Sequence, residues 1–251
     1  MPKLNEIAAV LDRDFPFAEA CSYDNVGLLV GRKDREVKKV LICLDVTLAV
    51  IEEAAALGVD LILSHHPVIF REIKRVTDES YTGSLLLALI EKDLAVISLH
   101  TNFDRAAAGN NDKLATTLGA KSYENIEDGF ATLFEIEETP FDLFAASVKE
   151  VLGDSVVRTV GGGSVHKVIA ACGAGIGEEL ILFAKEKDAV IVTADVKHNY
   201  ASMAKDLGVG LVETTHYASE WGFTVRMKEI MAERFPDTEL FVSRHNINPY
   251  G

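Results

Sequence analysis

The chain has 251 residues, of which 48% are hydrophobic and 25% are charged. This is the composition of an ordinary globular protein, and the length suits one large domain or two small ones. The formal net charge of -14 repels phosphate backbones and anionic lipid, so it argues against binding to nucleic acid or to a membrane.

The three cysteines, Cys21, Cys43 and Cys172, are odd in number and far apart, a spacing that predicts neither a disulfide framework nor a sulfur-rich zinc site. Cys43 and Cys172 lie in apolar, strand-like runs, and we expect both to be buried, reduced thiols. No signal peptide is evident at the N-terminus, and the longest apolar runs, such as Leu85–Ile90, are too short to span a bilayer. These features predict a cytoplasmic protein.

Strand and helix patterns alternate along the chain. Thr47 is expected to cap the first helix of this series and Gly58 to end it, while Asn110 or Asn111 caps a later helix that runs to Gly119. The predicted strands are 40–44, 61–64, 94–99, 167–173, 189–195 and 209–215, and the other predicted helices are 84–92, 178–187 and 199–207. Near-continuous apolar strands between helices indicate an α/β fold with mostly parallel sheets.

The order of elements in the first half of the chain recurs in the second half. The halves align with Lys39–Ile42 on Lys167–Ala170, His65–His66 on Ala194–Asp195, and residues 100–104 on residues 216–220. We interpret this as an internal duplication, although α/β units also resemble one another through patterning alone. The acidic, Gly-containing segment 123–140 marks the expected boundary. We therefore predict two similar lobes, 1–125 and 126–251, with a C-terminal helix that can pack back on the first.

Two adjacent histidines, His65 and His66, follow the apolar strand 61–64. Neighbouring residues in a strand point to opposite faces, so both rings reach one site only if the strand ends there. Pro67 favours that ending, and open α/β sheets bind ligands beyond the carboxyl ends of their strands. The alternative is a pair of structural histidines held by hydrogen bonds.

Two further strands end in a histidine that is followed four residues later by an acid: His100 with Asp104, and His216 with Glu220. In a helical turn, positions i and i+4 share one face, so each pair can meet the same metal cluster. Imidazole and carboxylate together are ligands for zinc, iron, manganese or nickel. His100 either ligates the metal or orients a neighbouring ligand, and we count it among the candidate catalytic residues.

Asp195 and His198 follow the strand 189–195, which aligns with the strand before His65 and His66. We assign them a catalytic role in proton transfer, or a supporting role beside the metal ligands. The alternative is a helix cap and a surface histidine.

On the basis of these residues, the chain resembles the Nif-three-like dinuclear-metal family, whose members are also called GTP cyclohydrolase 1 type 2 homologs. The matching stretches, in family order, are Tyr23–Leu28, Ser64–Pro67, His100–Asp104, Gly109–Leu114, Thr193–Asp195 and His216–Glu220. The chain departs from the family pattern at Ala194 and in the stretches Gly173–Ile176 and Gly129–Thr132. These departures concern the expected substrate pocket and leave the metal ligands intact.

The resemblance implies two α/β lobes with a two-metal centre between them. It assigns the two divalent ions to the side chains of His65, His66, Asp104, His216 and Glu220, and it implies a homo-oligomer in the form of a hexameric ring. The activity that it implies is metal-dependent hydrolysis of a small molecule such as GTP, with attack of water on the guanine ring and release of formate. The alternative is a non-catalytic, metal-binding oligomer that stores or delivers metal or partners a regulator.

Overall fold

The computed structural model describes residues 1–245 and 247–250. The helices are α1 (Leu4–Asp14), α2 (Leu48–Leu57), α3 (Tyr81–Glu91), α4 (Thr101–Asp104), α5 (Asn110–Thr117), α6 (Phe141–Val151), α7 (Glu178–Lys187), α8 (His198–Leu207), α9 (His216–Glu220) and α10 (Gly222–Arg234). The strands are β1 (Gly27–Val30), β2 (Lys39–Cys43), β3 (Leu61–Ser64), β4 (Ala95–Ser98), β5 (Glu124–Ile126), β6 (Ala131–Pro140), β7 (Arg158–Val160), β8 (Ser164–Ala170), β9 (Val190–Thr193), β10 (Leu211–Glu213) and β11 (Glu239–Val242).

The chain forms two compact units. The first comprises Met1–Phe103 and Phe223–Ile247, and the second comprises Asp104–Gly222 and Asn248–Gly251. The segment 123–140, expected as a boundary, forms β5 and β6 of the second unit's sheet. The limits 1–125 and 126–251 for two duplicated lobes stay a prediction.

The first unit contains a five-stranded sheet in the order β1-β4-β3-β2-β11. Strands β4, β3, β2 and β11 run parallel, and β1 pairs antiparallel with β4 at the edge. Every residue of β3 and β4 is buried. Such continuous apolar runs suit a parallel sheet that is covered on both faces, and residues of α2 and α3 such as Ile51 and Leu89 belong to the core on one face.

The second unit contains a six-stranded sheet in the order β5-β6-β8-β9-β10-β7. Only β8, β9 and β10 run parallel, while β5, β6 and β7 form antiparallel pairs. Successive residues of β8 face opposite sides: Val168 packs in the core that contains Phe144 of α6, and Ile169 packs in the core that contains Ile181 of α7. The α/β class is confirmed, and both sheets are mixed, the second more so than the first.

The two units share a strand arrangement that supports the internal duplication. In the first, the parallel strands β2, β3 and β4 are followed by antiparallel β1; in the second, β8, β9 and β10 are followed by antiparallel β7. Each antiparallel edge strand is preceded by an aspartate that accepts a backbone N–H from the chain just beyond the neighbouring strand. Asp24 accepts from Thr101 in this way, and Asp154 accepts from Thr215.

When the two units are aligned by strand register, His100 and His216 are offset by one residue. Ser64 pairs with Ser98 in the first unit, and Thr193 pairs with Glu213 in the second. His100 is therefore two residues beyond Ser98, whereas His216 is three residues beyond Glu213 and directly follows Thr215, the N-cap residue of α9. His65 and His66 correspond to Ala194 and Asp195 in this register, as the sequence predicts.

The predicted ends of α2 are confirmed, but the predicted cap of α5 is wrong. Thr47 accepts a hydrogen bond from the backbone N–H of Val50, and Gly58 ends the helix in the left-handed conformation. Helix α5 is instead preceded by Gly109, and Asn110 and Asn111 lie inside its first turn. Their side chains bond to groups outside the helix, as described below, and this competing use overrides their local capping preference.

Cys43 and Cys172 are buried, as expected, and the three cysteines form no disulfide. Burial raises the pKa of the Cys43 thiol well above its ordinary value. Across residues 1–245 and 247–250, none of the helices combines the length and the apolar character that crossing a bilayer requires.

Candidate metal centre

Three histidines of the first unit converge at the carboxyl ends of β3 and β4. His65, His66 and His100 each offer a ring nitrogen, and these atoms lie within 4.8 Å of one another. The two strand ends are fixed side by side, because the hydroxyls of Ser64 and Ser98 share a hydrogen bond of 2.8 Å. The expected bend after β3 brings both neighbouring histidines to one site.

Each of these rings is oriented by an acceptor at Nδ1. His65 Nδ1 lies 2.8 Å from the Leu99 carbonyl oxygen, and His66 Nδ1 lies 2.8 Å from a carboxylate oxygen of Asp45. His100 Nδ1 lies 2.9 Å from a carboxylate oxygen of Asp24. A neutral imidazole that donates from Nδ1 carries its lone pair on Nε2, so each ring is prepared to ligate a metal through Nε2.

Asp24, which orients His100, lies in the stretch Tyr23–Leu28 that matches the family pattern. Besides His100, its carboxylate accepts hydrogen bonds from the backbone N–H and the hydroxyl of Thr101. Burial acts to raise the pKa of Asp24, but the hydrogen bonds from His100 and Thr101 outweigh it and lower the pKa to about 2. The next residue, Asn25, donates to the Ile69 carbonyl at 2.6 Å and so ties the loop after Pro67 to this stretch.

In the second unit, two carboxylates and a histidine form a cluster at the end of β10. His216 and Glu220 lie one turn apart on α9, and His216 Nε2 is 2.9 Å from a carboxylate oxygen of Glu220. The carboxylates of Asp104 and Glu220 offer oxygens within 4.8 Å of each other. Only 8% of Asp104 and 2% of Glu220 is exposed to solvent.

His216 is oriented in the same manner as the histidines of the first unit. Its Nδ1 lies 2.7 Å from a carboxylate oxygen of Asp195. Asp195 adopts φ of 49°, a left-handed conformation that is uncommon for a residue other than glycine. Backbone strain of this kind gathers at functional sites, and here it holds a carboxylate against a candidate metal ligand.

Asp104 is held by neutral donors. Asn110 Nδ2 donates to its carboxylate at 2.8 Å, and the Cys172 thiol contacts the same oxygen at 3.5 Å. Burial, followed by the charges of Asp104 and Glu220, raises the pKa of Cys172, so the thiol stays protonated and donates. The side-chain amide of Asn111 bridges the Asp104 carbonyl and the Cys172 backbone N–H, which fixes α5 against the end of β8.

These residues fit a bound metal. Two buried carboxylates this close together repel each other, and a cation between or beside them offsets that repulsion. The donors are imidazole nitrogens and carboxylate oxygens, the set preferred by zinc, iron, manganese and nickel. Carboxylate partners at Nδ1 of His66, His100 and His216 are the arrangement that orients histidine ligands in metalloproteins.

The sequence also matches a known family. The profile of the Duf34/NIF3 (NGG1p interacting factor 3) family matches residues 2–249. The chain belongs to this family.

Curated relatives match more than nine-tenths of the chain. A protein of Clostridium perfringens named GTP cyclohydrolase 1 type 2 homolog is 33% identical over 99% of this chain and 98% of its own. A protein of Helicobacter pylori named GTP cyclohydrolase 1 type 2 is 35% identical over 92% of each chain.

Solved structures with the same fold also cover nearly the whole chain. A hypothetical protein of Staphylococcus aureus superposes with a TM-score of 0.90 at 29% identity, covering 99% of this chain and 98% of the other. The reduced form of HcgD from Methanocaldococcus jannaschii superposes with a TM-score of 0.84 at 29% identity, covering 96% and 97%. The chain therefore shares its fold with these two solved proteins.

Within this Duf34/NIF3 chain, the predicted site residues fall into distinct environments. His65, His66 and His100 lie together in the first unit, and Asp104, His216 and Glu220 lie together in the second. Asp195 contacts His216, whereas His198 is exposed in the first turn of α8. The sequence did not reveal the roles of Asp24 and Asp45, which orient histidines, or of Asn110 and Cys172, which donate to Asp104. The position of Asp24 inside a matching stretch was the available signal.

Proposed function

We propose that this protein is a metal-dependent hydrolase that acts on GTP or a related purine nucleotide. The observation that carries the proposal is the orientation of four histidines, each with Nδ1 against a carboxylate or carbonyl oxygen. An acceptor at Nδ1 fixes the tautomer of each ring and leaves its Nε2 lone pair available to bind a metal or to take up a proton. The names of the curated relatives support the choice of substrate class.

The proposed ligands of two divalent cations are His65, His66, Asp104, His216 and Glu220. Zinc, iron, manganese and nickel all suit this donor set. When bound, the cations supply Lewis acidity and lower the pKa of a coordinated water. Hydrolysis of GTP at C8 of guanine opens the ring and releases formate, which gives the reaction a product that is simple to measure.

The chain's own residues have supporting roles in this proposal. Asp45 and Asp195 orient the rings of His66 and His216 by accepting from Nδ1. His100, held by Asp24, is the proposed proton carrier, because its ring lies beside those of His65 and His66. The exposed His198 is the second proposed proton carrier, and it is the one that bulk water reaches most readily.

We further propose a cytoplasmic homo-oligomer with the hexameric ring that the family resemblance implies. Light scattering at micromolar concentration is expected to give about six times the mass of one chain, 27.3 kDa. A mass equal to one chain would contradict the ring.

The proposed activity is tested on metal-reconstituted protein by formate release from GTP, with metal content measured by elemental analysis. The wild type is expected to hold two metals per chain and to release formate, and chelation or His65→Ala is expected to abolish release. His166→Ala, in β8 and outside the donor clusters, is the matched control and is expected to behave as wild type. Equal release by wild type and His65→Ala would mean contamination, and full metal content without release would favour metal storage or delivery.

A further inference from the structure

The second unit contains a cleft that opens beside the carboxylate that orients His216. Its volume is about 360 Å³, within the range of small-molecule sites. Asp195 lines the cleft while one of its oxygens accepts from His216 Nδ1, so a single side chain connects the cleft to a proposed metal ligand. Arg158, Glu213 and Tyr250 also line it.

The C-terminal residues are fixed in place to form one wall of this cleft. Asn248 Nδ2 donates to the Thr215 hydroxyl at 3.0 Å, and Asn248 Oδ1 accepts from the Tyr250 backbone N–H at 3.1 Å. The Ser155 hydroxyl lies 3.5 Å from the Tyr250 carbonyl oxygen. Tyr250 nevertheless remains 67% exposed. Hydrogen bonds thus hold an aromatic residue at the cleft without burying it in a core, as a stacking surface requires.

The charges of the cleft favour a neutral ring over a phosphate. Arg158 forms an ion pair with the buried Glu213, which offsets its charge, and the carboxylate of Asp195 adds a negative charge. A phosphate placed here would face two carboxylates. A planar ring that presents N–H donors to Asp195 and a carbonyl oxygen to Arg158 meets complementary groups instead.

Guanine has this pattern and adenine does not. Guanine carries an O6 acceptor and an N2 amino donor, whereas adenine presents an amino donor where guanine has the carbonyl. We propose that this cleft is the subsite that binds the guanine ring, an inference that rests on the proposed function. Tyr250 is the stacking residue, and Arg158 is the residue that selects guanine over adenine.

Binding of nucleosides to metal-reconstituted protein tests this subsite by calorimetry. Guanosine and adenosine are used because they lack phosphate and report on the base alone. Wild type is expected to prefer guanosine. Tyr250→Ala is expected to lower the affinity for both nucleosides by at least about fivefold, which corresponds to the lower end of the free energy of base–aromatic stacking. Tyr250→Phe is expected to retain the wild-type affinity. Arg158→Gln is expected to reduce the preference for guanosine by about tenfold, through the loss of the contact between Arg158 and O6.

Tyr81→Ala and Arg13→Gln are matched controls, because both residues are exposed and lie in the first unit. Metal content must be unchanged in the cleft variants, since none of the substituted residues is a proposed ligand. Absence of guanosine binding by the wild type, or wild-type binding by both Tyr250→Ala and Arg158→Gln, would overturn the subsite. Formate release from GTP with wild-type binding in these variants would leave hydrolysis standing without the subsite. Weakened guanosine binding without formate release would support the subsite and contradict hydrolysis.

Discussion

Replacing Gly173 by alanine is expected to remove most of the bound metal. An added Cβ at Gly173 would lie 2.4 Å from Glu220 Oε1 and 3.2 Å from His216 Nε2, so it would occupy space that two proposed ligands need. The backbone cannot move away easily. Gly173 N–H donates to the Ser219 hydroxyl at 2.9 Å, and its carbonyl accepts from the Ala194 N–H at 3.1 Å. Glu220 must therefore move, and metal content by elemental analysis measures the result.

Gly208→Ala is the matched control for the backbone strain in that variant. Gly208 has φ of 69°, close to the 58° of Gly173, but no heavy atom lies within 4 Å of its added Cβ. Both substitutions carry the cost of a left-handed alanine, about 1–2 kcal/mol. Only Gly173→Ala also disturbs the ligands. Equal metal content in the two variants would show that the close approach of Gly173 to Glu220 has no role in metal binding.

The strands and helices near the site could be predicted from the sequence because their apolar runs are long and buried. Strand β3 and helix α7 have the predicted bounds, 61–64 and 178–187. The edge strand β7 was not predicted. It has three residues, two of them exposed, so it shows no alternation between buried and exposed positions that could identify it.

The clustering of the histidines and acids at the strand ends could also be predicted, whereas the groups that orient them could not. His66 and Asp45 are 21 residues apart, and His100 and Asp24 are 76 residues apart. Each carboxylate lies in a loop, and its position depends on turns that leave no periodic pattern in the sequence. Asn110 illustrates the opposite problem, since it has a capping residue's signature but donates to Asp104 instead.

Glu220→Gln is expected to abolish the stabilisation that metal gives to the protein without weakening the metal-free fold. In the metal-free protein, Glu220 lies buried within 4.8 Å of the Asp104 carboxylate, so removing one of two like charges relieves repulsion. In the metal-loaded protein, the same change removes a ligand. In the wild type, each bound metal should add about 2.7 kcal/mol of unfolding free energy when free metal is about a hundredfold above its Kd. Glu220→Gln should gain far less.

Thermal unfolding with and without metal measures both effects, and elemental analysis accompanies it. His66→Ala is expected to lose metal as well, but it relieves no repulsion between carboxylates, so its metal-free melting temperature should not rise as that of Glu220→Gln does. Glu229→Ala, on the exposed face of α10, is the control and should keep the full metal-induced shift. If metal raised the melting temperature of Glu220→Gln as much as that of the wild type, the Glu220 carboxylate would be excluded as a ligand. Loss of a purely functional site at strand ends is expected to leave the apolar cores intact. Global unfolding of both Glu220→Gln and His66→Ala without metal would therefore mean that the site maintains the fold.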